Sequence, residues 1–494
     1  MKIIILGAGR IGESVAGTLV SEQNDITVID TDAARLRDLE SRFELRGVAG
    51  NGIEPELLEE AGARDADMLI ACAAQDETNL VACKVAEQMF NIPTRIARVR
   101  SEAFRGESPL LGREGFAVDR VICPEDSLTR YIARLIDYPE ALQVYEFAGG
   151  RASLVSVRAV AGAPLVGCRV DEIGAYAAGE AVRVVALYRR REDGPDRFIP
   201  AAEGTHVVPG DEVFVLAARQ NLRAALAALH RRDPQTPRTV QRVAIAGGGR
   251  VGMRLAQQLV QDFPALQLKL IERSAERCQM LAARLPSSVM VLQGDATDED
   301  LMDDESVGES DFFLSLTNDD EDNIMSALLA KRMGARRVLA LINRRSYADL
   351  IHGTQIDIAL TPSQTLLGEL LAFVRRGDVQ VVHSLRRGVA EAMEIVARGD
   401  ERTSRVVGRA IKDIKLPRDA HFGLVLRGLP DPDAPLPAEE GEGSSPAAEA
   451  AEPEVIVPQP GTVIRSGDHV IIFMPRKRLV REVEKLFRVS ATFF

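Results

Sequence analysis

The sequence predicts an α/β protein of two doubly wound parallel sheets, each followed by a small α+β domain. Three observations carry the prediction. Short apolar runs without alternation, such as Lys2 to Leu6, read as strands buried on both faces. Two of these runs lead straight into a G-x-G-x-x-G turn that opens an apolar-periodic helix. The whole plan then recurs about 240 residues later, a period far too long for a solenoid and suited to a duplicated two-domain unit.

The first turn is Gly7-Ala8-Gly9-Arg10-Ile11-Gly12, and Ile11, Val15 and Leu19 mark one face of the helix that follows. The three glycines differ in what they permit. Gly7 makes the tight turn, Gly9 lets backbone approach a pyrophosphate, and Gly12 lets the helix sit close on the strand. The next apolar run, Ile26 to Ile29, ends at Asp30, 18 residues past Gly12. A carboxylate there either grips ribose hydroxyls or caps local N–H groups. Gripping ribose, it would repel a 2′-phosphate and favour NAD(H) or plain adenosine nucleotides over NADP.

Asp32 to Leu45 is predicted as a helix, Leu45 to Val48 as a third strand before Gly50-Asn51-Gly52, and Glu54 to Gly62 as a helix. Asp67 to Cys72 is a fourth strand, Asp76 to Phe90 a helix, Arg95 to Val99 a fifth strand and Val118 to Cys123 a sixth. Ser127 to Ile136 reads as a helix leaving the sheet. The runs Gln143 to Phe147, Ser153 to Val157 and Val182 to Tyr188 alternate, which predicts half-exposed antiparallel strands. Pro209-Gly210-Asp211 turns into a further strand, Glu212 to Leu216, and Leu222 to His230 closes the unit as a helix.

Arg231 to Pro237 is a polar, proline-bearing linker. Beyond it Arg242 to Ala246 leads into Gly247-Gly248-Gly249-Arg250-Val251-Gly252, and Glu272 stands 20 residues past Gly252. Gly294-Asp295-Ala296 answers Gly50-Asn51-Gly52, and Asp320 to Asn323 answers Asp76 to Asn79, both at an offset of 244. The predicted domains are 1–125 and 241–362 (parallel sheets), 140–230 and 378–494 (small α+β), with a linker at 231–240. Pro430 to Pro460 does not repeat. Its eight prolines, with glutamate, alanine, glycine and serine, predict a disordered acidic insertion between strands.

A net charge of −12 over 494 residues argues against broad nucleic-acid binding. The five cysteines form no C-x-x-C pair and have no histidine at ligand spacing, so reduced thiols in a cytosolic protein are expected and no metal site. The six histidines are scattered without a serine or carboxylate at informative spacing, so no catalytic residues are expected. No signal-peptide pattern opens the chain, and no apolar run approaches the roughly 20 residues a bilayer span needs. Work at a membrane would need an embedded partner.

Three further stretches are more discriminating than the glycine turns: Thr317 to Ala327, Ala330 to Ala335, and Ser384 to Ala392. With both halves laid out, the chain resembles the TrkA family, the peripheral nucleotide-binding subunits of bacterial Trk potassium-uptake systems, whose tandem units belong to the RCK (KTN) class. The resemblance covers essentially all residues outside the acidic insertion. It implies Rossmann (RCK-N) domains, each followed by an RCK-C domain, in a homo-oligomer, commonly a tetramer. It also implies a position on the cytoplasmic face of the inner membrane, beneath an integral-membrane potassium channel subunit, with NAD(H) and ATP or ADP as ligands.

By matching positions, the resemblance places phosphates on Gly7, Gly9, Arg10, Ile11 and Gly12, the adenosine ribose on Asp30, and Asn51 and the loop Ala73-Ala74-Gln75-Asp76 by the adenine and the crevice. Arg98 and Arg100 are candidates for countering phosphate charge. Gly247, Gly249, Arg250, Val251, Gly252, Glu272, Asp295 and Thr317 take these parts in the second half. Two departures stand out. Ala73-Ala74 replaces the polar pair Thr317-Asn318, removing hydrogen bonds to a ligand. Asn51 replaces an acid, although its side-chain oxygen still accepts. A nicotinamide oxidoreductase and a nucleotide-free assembly scaffold are the rival expectations. The first needs a proton donor by the hydride site and a substrate pocket, for which the small domains are poorly suited.

Overall fold

The computed structural model of the chain describes residues 1–20, 22, 24–104, 108–176, 181–190, 197–201, 204–230, 239–344, 346–347, 351, 355–375, 378–385, 389–430 and 453–489. The linker at 231–237, His352, Arg386-Arg387 and most of the acidic insertion lie outside the described residues. By backbone contacts the chain divides into two units, Met1–Arg130 with Gln241–Glu369, and Tyr131–Val240 with Leu370–Phe494.

The first unit holds two six-stranded parallel sheets. One comprises β1 (Lys2–Leu6), β2 (Asp25–Asp30), β3 (Arg46–Ala49), β4 (Met68–Ala71), β5 (Thr94–Arg98) and β6 (Arg120–Ile122), in the order β3-β2-β1-β4-β5-β6. Between them run α1 (Arg10–Val20), α2 (Ala33–Arg42), α3 (Pro55–Glu60) and α4 (Asp76–Phe90), and α5 (Pro124–Asp137) follows β6. The order reverses beside β1, so the carboxyl ends of β1 and β4 flank a topological switch point, where ligands of such sheets sit. Apolar residues of β1 and β4 pack under Leu80, Cys83 and Ala86 of α4 in one continuous core. The runs that lack alternation are buried on both faces, as their sequence implies.

The second unit holds the small sheets. The first comprises β7 (Ala141–Phe147), β8 (Ala152–Arg158), β9 (Val182–Arg189), β10 (Arg197–Pro200) and β11 (Glu212–Ala218), ordered β10-β9-β11-β8-β7, with α6 (Ile173–Tyr176) and α7 (Leu222–Leu229) beside it. Its strands are antiparallel, as expected. Half-exposure, however, is overturned for the Ser153 to Val157 run, since β8 is buried in all but its last residue, whereas β7 keeps four partly exposed residues among three buried ones. The reason is that Phe147, Leu154 and Phe214 share a core with Leu385, Ala392 and Phe473 of the second small sheet. Helix α7 also buries Leu222, Leu226 and Leu229.

The second parallel sheet repeats the first through β12 (Arg242–Ala246), β13 (Gln267–Glu272), β14 (Val289–Gln293), β15 (Phe312–Ser315), β16 (Arg337–Leu341) and β17 (Ile358–Leu360). Its helices are α8 (Arg250–Asp262), α9 (Ala275–Arg284), α10 (Glu299–Asp304) and α11 (Asp320–Met333), and α12 (Pro362–Val374) leads onward. The last sheet holds β18 (Val379–Leu385), β19 (Ala390–Val396), β20 (His421–Arg427), β21 (Glu454–Ile456) and β22 (His469–Met474), before α13 (Val480–Phe487). The acidic insertion, expected to run to Pro460, gives way sooner. Val455 and Ile456 already pair with β20, because this apolar step completes the edge of the sheet.

One contact between the small sheets titrates. The His383 ring lies 4.8 Å from that of Tyr145 and 4.9 Å from that of Phe147, and its Nε2 lies 2.8 Å from the Glu146 carbonyl oxygen. Burial pushes its pKa down from 6.5 to about 3, Arg134 adding to the fall and Glu394 opposing it. The unfolded chain therefore takes up a proton here that the folded chain refuses. This contribution to stability is fully present above 6.5 and is lost as pH falls from 6.5 towards about 3. The loss is up to about 1.4 kcal/mol per pH unit. Urea denaturation between pH 7 and pH 5 should show His383→Gln with a shallower acid loss than the parent, by up to one proton.

Candidate nucleotide-binding site

Both glycine turns are built alike. Gly7 and Gly247 adopt left-handed φ of 104° and 105°, donating their N–H groups to the carbonyls of Ile29 and Ile271 at 2.7 and 2.9 Å. Helices α1 and α8 then start at Arg10 and Arg250, and their first N–H groups have no partner within the helix. Together with the helix dipole these donors favour an anion. A Cβ on Gly9 or Gly249 would meet nothing within 4 Å, so both turns open onto free space.

The strand-end acids turn out to cap local N–H groups. Asp30 accepts from Ala8 N at 2.6 Å and Asp32 N at 2.8 Å. Glu272 accepts from Gly248 N and Ser274 N, both at 2.9 Å. Each acid thus fixes its own glycine turn to the head of the next helix, and each oxygen keeps a second lone-pair direction for a hydroxyl.

Two buried asparagines complete the frame. Asn79 accepts from Ala73 N at 2.8 Å and donates to the carbonyls of Ala73 and Arg98 at 3.1 and 2.8 Å. Asn323 makes the same clamp on Thr317 and Leu341, and also accepts from the Thr317 and Ser315 hydroxyls. Three residues earlier, Asp76 accepts from Arg100 N and Ser101 N, as Asp320 does from Asn343 N and Arg344 N. These pairs join the loops at the tips of neighbouring strands into one rim. From the sequence they served only to align the halves; their recurrence beside each turn was the available signal. Asn79→Ala should cost about 2–4 kcal/mol, because it strands buried backbone groups besides losing hydrogen bonds. Chemical denaturation measures this.

The first cavity, of about 440 Å³, brings together Gly7, Gly9, Arg10, Ile11, Asp30, Asn51, Ala73 and Arg98. Gly12 lies beneath it, where its helix crosses the Gly7 carbonyl. Arg100 does not line it. Its guanidinium turns instead to Asp76, at 3.5 Å, and to the Ala74 carbonyl, because Asp76 already holds the Arg100 backbone. Arg35 and Glu125 join the lining unforeseen, as do Leu341 and Asn343 from the second half, while Val251 and Asn318, expected at the second crevice, line this one. The halves are tied there by Arg254 to Asp126 at 2.7 Å and by Ser127 to Glu369 at 2.7 Å.

Arginines outnumber carboxylates in this lining, three (Arg10, Arg35, Arg98) to two (Asp30, Glu125). Arg98 lies 3.7 Å from Glu125, and its buried Nε has no hydrogen-bond partner among the described residues. Burial pushes the Cys72 thiol up to about 12, so this cysteine is an apolar wall and not a nucleophile.

The second crevice, about 280 Å³, gathers Gly247, Gly249, Glu272, Asp295 and Thr317. Arg250, Val251 and Gly252 are outside its lining: Gly252 sits under the turn, Arg250 is exposed and Val251 faces the first cavity. The charge balance is reversed here. Arg273 alone stands among Glu272, Asp295, Asp319 and Asp322, bridging Asp295 at 2.8 Å and Asp322 at 3.0 Å. Burial alone would raise the Asp295 pKa, but hydrogen bonds from Thr297 and Arg273 outweigh it and hold the group below the ordinary value.

Residues 3–124 and 243–362, the two parallel-sheet segments, match the family model described as the TrkA-N domain. The chain is 46% identical over 494 residues to the Trk system potassium uptake protein TrkA of Halomonas elongata, covering 100% of both chains. It is 44% identical over 495 residues to that of Vibrio alginolyticus, again covering 100% of both. Among solved structures it is similar to the GsuK channel bound to NAD. There the TM-score is 0.56 at 16% identity, over 98% of this chain and 78% of the channel, a likeness of fold. Among the described residues no helix is long and apolar enough to cross a membrane.

Proposed function

The chain belongs to the family of Trk system potassium uptake proteins TrkA, and from that premise we propose that it is the nucleotide-sensing regulatory subunit of such a system. NAD(H) and ATP or ADP bind in the two crevices, and their occupancy sets the gate of an integral-membrane potassium channel subunit of the Trk type. The chain acts as a homo-oligomer, a tetramer, on the cytoplasmic face of the inner membrane.

One observation carries the reading. The first cavity joins a glycine turn with room above Gly9, a helix N-terminus, and a half-buried arginine, Arg98, whose buried Nε lacks a partner among the described residues. These features suit a pyrophosphate. Asp30 would then take the ribose and Asn51 the adenine edge, both lining the same cavity. The second crevice offers the same turn with more negative charge. A phosphate-rich ligand there has to draw Arg273 away from Asp295 and Asp322.

Sensing follows from residues that different parts of the chain contribute to one cavity. A ligand touching both halves has contacts that depend on how they are arranged. It shifts the balance of arrangements only by its difference in affinity for them. Ligands that differ in phosphate charge and reach therefore need not act in the same direction.

The test is potassium flux into vesicles holding the chain and its channel subunit. Flux should change on adding NADH, ATP or ADP, and the change should vanish in Gly9→Asp with Gly249→Asp. A full nucleotide response in that double variant would contradict the reading.

A further inference from the structure

The two crevices share a wall, and one residue of that wall lies in both. Asn318 lines the first cavity as well as the second. Its neighbours are held firmly. Thr317 is clamped through its N–H and hydroxyl by Asn323, at 2.9 and 2.8 Å. Asp319 donates its N–H to the Thr317 hydroxyl at 3.1 Å and accepts from Asp322 N at 3.0 Å, capping α11. Between these anchors the Asn318 side chain makes no hydrogen bond among the described residues and is exposed. The adjoining glycine turn divides in the same way: Gly249 faces the second crevice, while Val251, two residues on, faces the first. In the first half the corresponding residue, Ala74, lines only the first cavity and carries no polar group.

We propose that Asn318 is a ligand-contacting residue of both sites and couples them antagonistically. Its amide presents one acceptor and two donors on a short stem. Turned to a ligand in one crevice, it is turned away from the other, so the ligand bound second lacks that contact. The coupling is reciprocal, each site weakening the other by the same factor. With one hydrogen bond at stake, that factor is about 5-fold.

This rests on the reading that both crevices bind nucleotide, and the test separates the two claims. ADP is titrated calorimetrically into Gly9→Asp, leaving the second crevice open, and into Gly249→Asp, leaving the first. The two isotherms sum to the binding expected of independent sites. The unblocked chain should bind its second equivalent about 5-fold more weakly than that sum. Asn318→Ala, compared with its own blocked variants, should match its sum. Binding in neither blocked variant removes the two-site reading and the coupling with it. Binding in both, with an unblocked isotherm equal to or tighter than the sum, overturns the coupling alone. So does antagonism that survives Asn318→Ala.

Discussion

Gly9→Asp is expected to weaken ADP and NADH binding at the first cavity by at least about 100-fold while the chain folds as before. Two terms act together. The new side chain enters the space a pyrophosphate would occupy, since a Cβ there meets nothing within 4 Å. Its carboxylate also faces phosphate charge. Two unit charges about 4 Å apart repel by about 4 kcal/mol at an effective dielectric of 20, and 1.4 kcal/mol is already tenfold in affinity. Stability should hardly move, because Gly9 has no left-handed φ and no close neighbour to displace. Gly249→Asp should act in the same way on the second crevice. Calorimetry with each ligand, alongside thermal melting, measures both halves of the expectation. A melting point well below the parent's would show that position 9 serves the fold.

Gly12→Ala should do the reverse and damage the fold first. A Cβ at position 12 would lie 1.8 Å from the Gly7 carbonyl oxygen and 2.9 Å from its carbon. Both are backbone atoms of a turn with Gly7 at a φ of 104°, so no side-chain rotation relieves the clash. Helix α1 would have to lift off β1, where it buries Val15, Ala16 and Leu19. Overpacking usually costs about 1–3 kcal/mol, and a clash against fixed backbone should reach or exceed the upper end, about 3 kcal/mol. Set against a typical total of about 5–15 kcal/mol, that loss is large. Gly252→Ala, 2.0 Å from the Gly247 oxygen, should behave alike. Urea denaturation tests both, and a midpoint equal to the parent's would contradict the packing argument.

The two glycines show what a linear sequence reveals. The turn, the helix after it and the acid at the next strand end are local in the chain, so their spacing exposes them, and the duplication shows each twice. The division of labour between Gly9 and Gly12 follows from helix geometry alone. What escapes is whatever depends on surfaces meeting from distant parts of the chain. Val251 reads as a phosphate-turn residue of its own half but lines the other half's cavity. Arg100 reads as a free cation at a strand end, yet Asp76, 24 residues earlier, engages it. Asn79 and Asn323 read as polar helix residues, a class mostly exposed, and are fully buried clamps. The small sheets mislead for a related reason. Alternation reports one wet face, and nothing nearby in sequence announces that a second sheet covers it.

Nucleotide sensing by this chain requires the phosphates of an adenine nucleotide to rest on the two glycine turns. A crystal structure of the chain grown with ADP or NADH tests it most directly. Phosphate density should lie over Gly9 within hydrogen-bonding distance of the first N–H groups of α1, with Arg98 drawn towards it. Ligand bound elsewhere, or both turns filled by the chain's own side chains at saturating nucleotide, would contradict it.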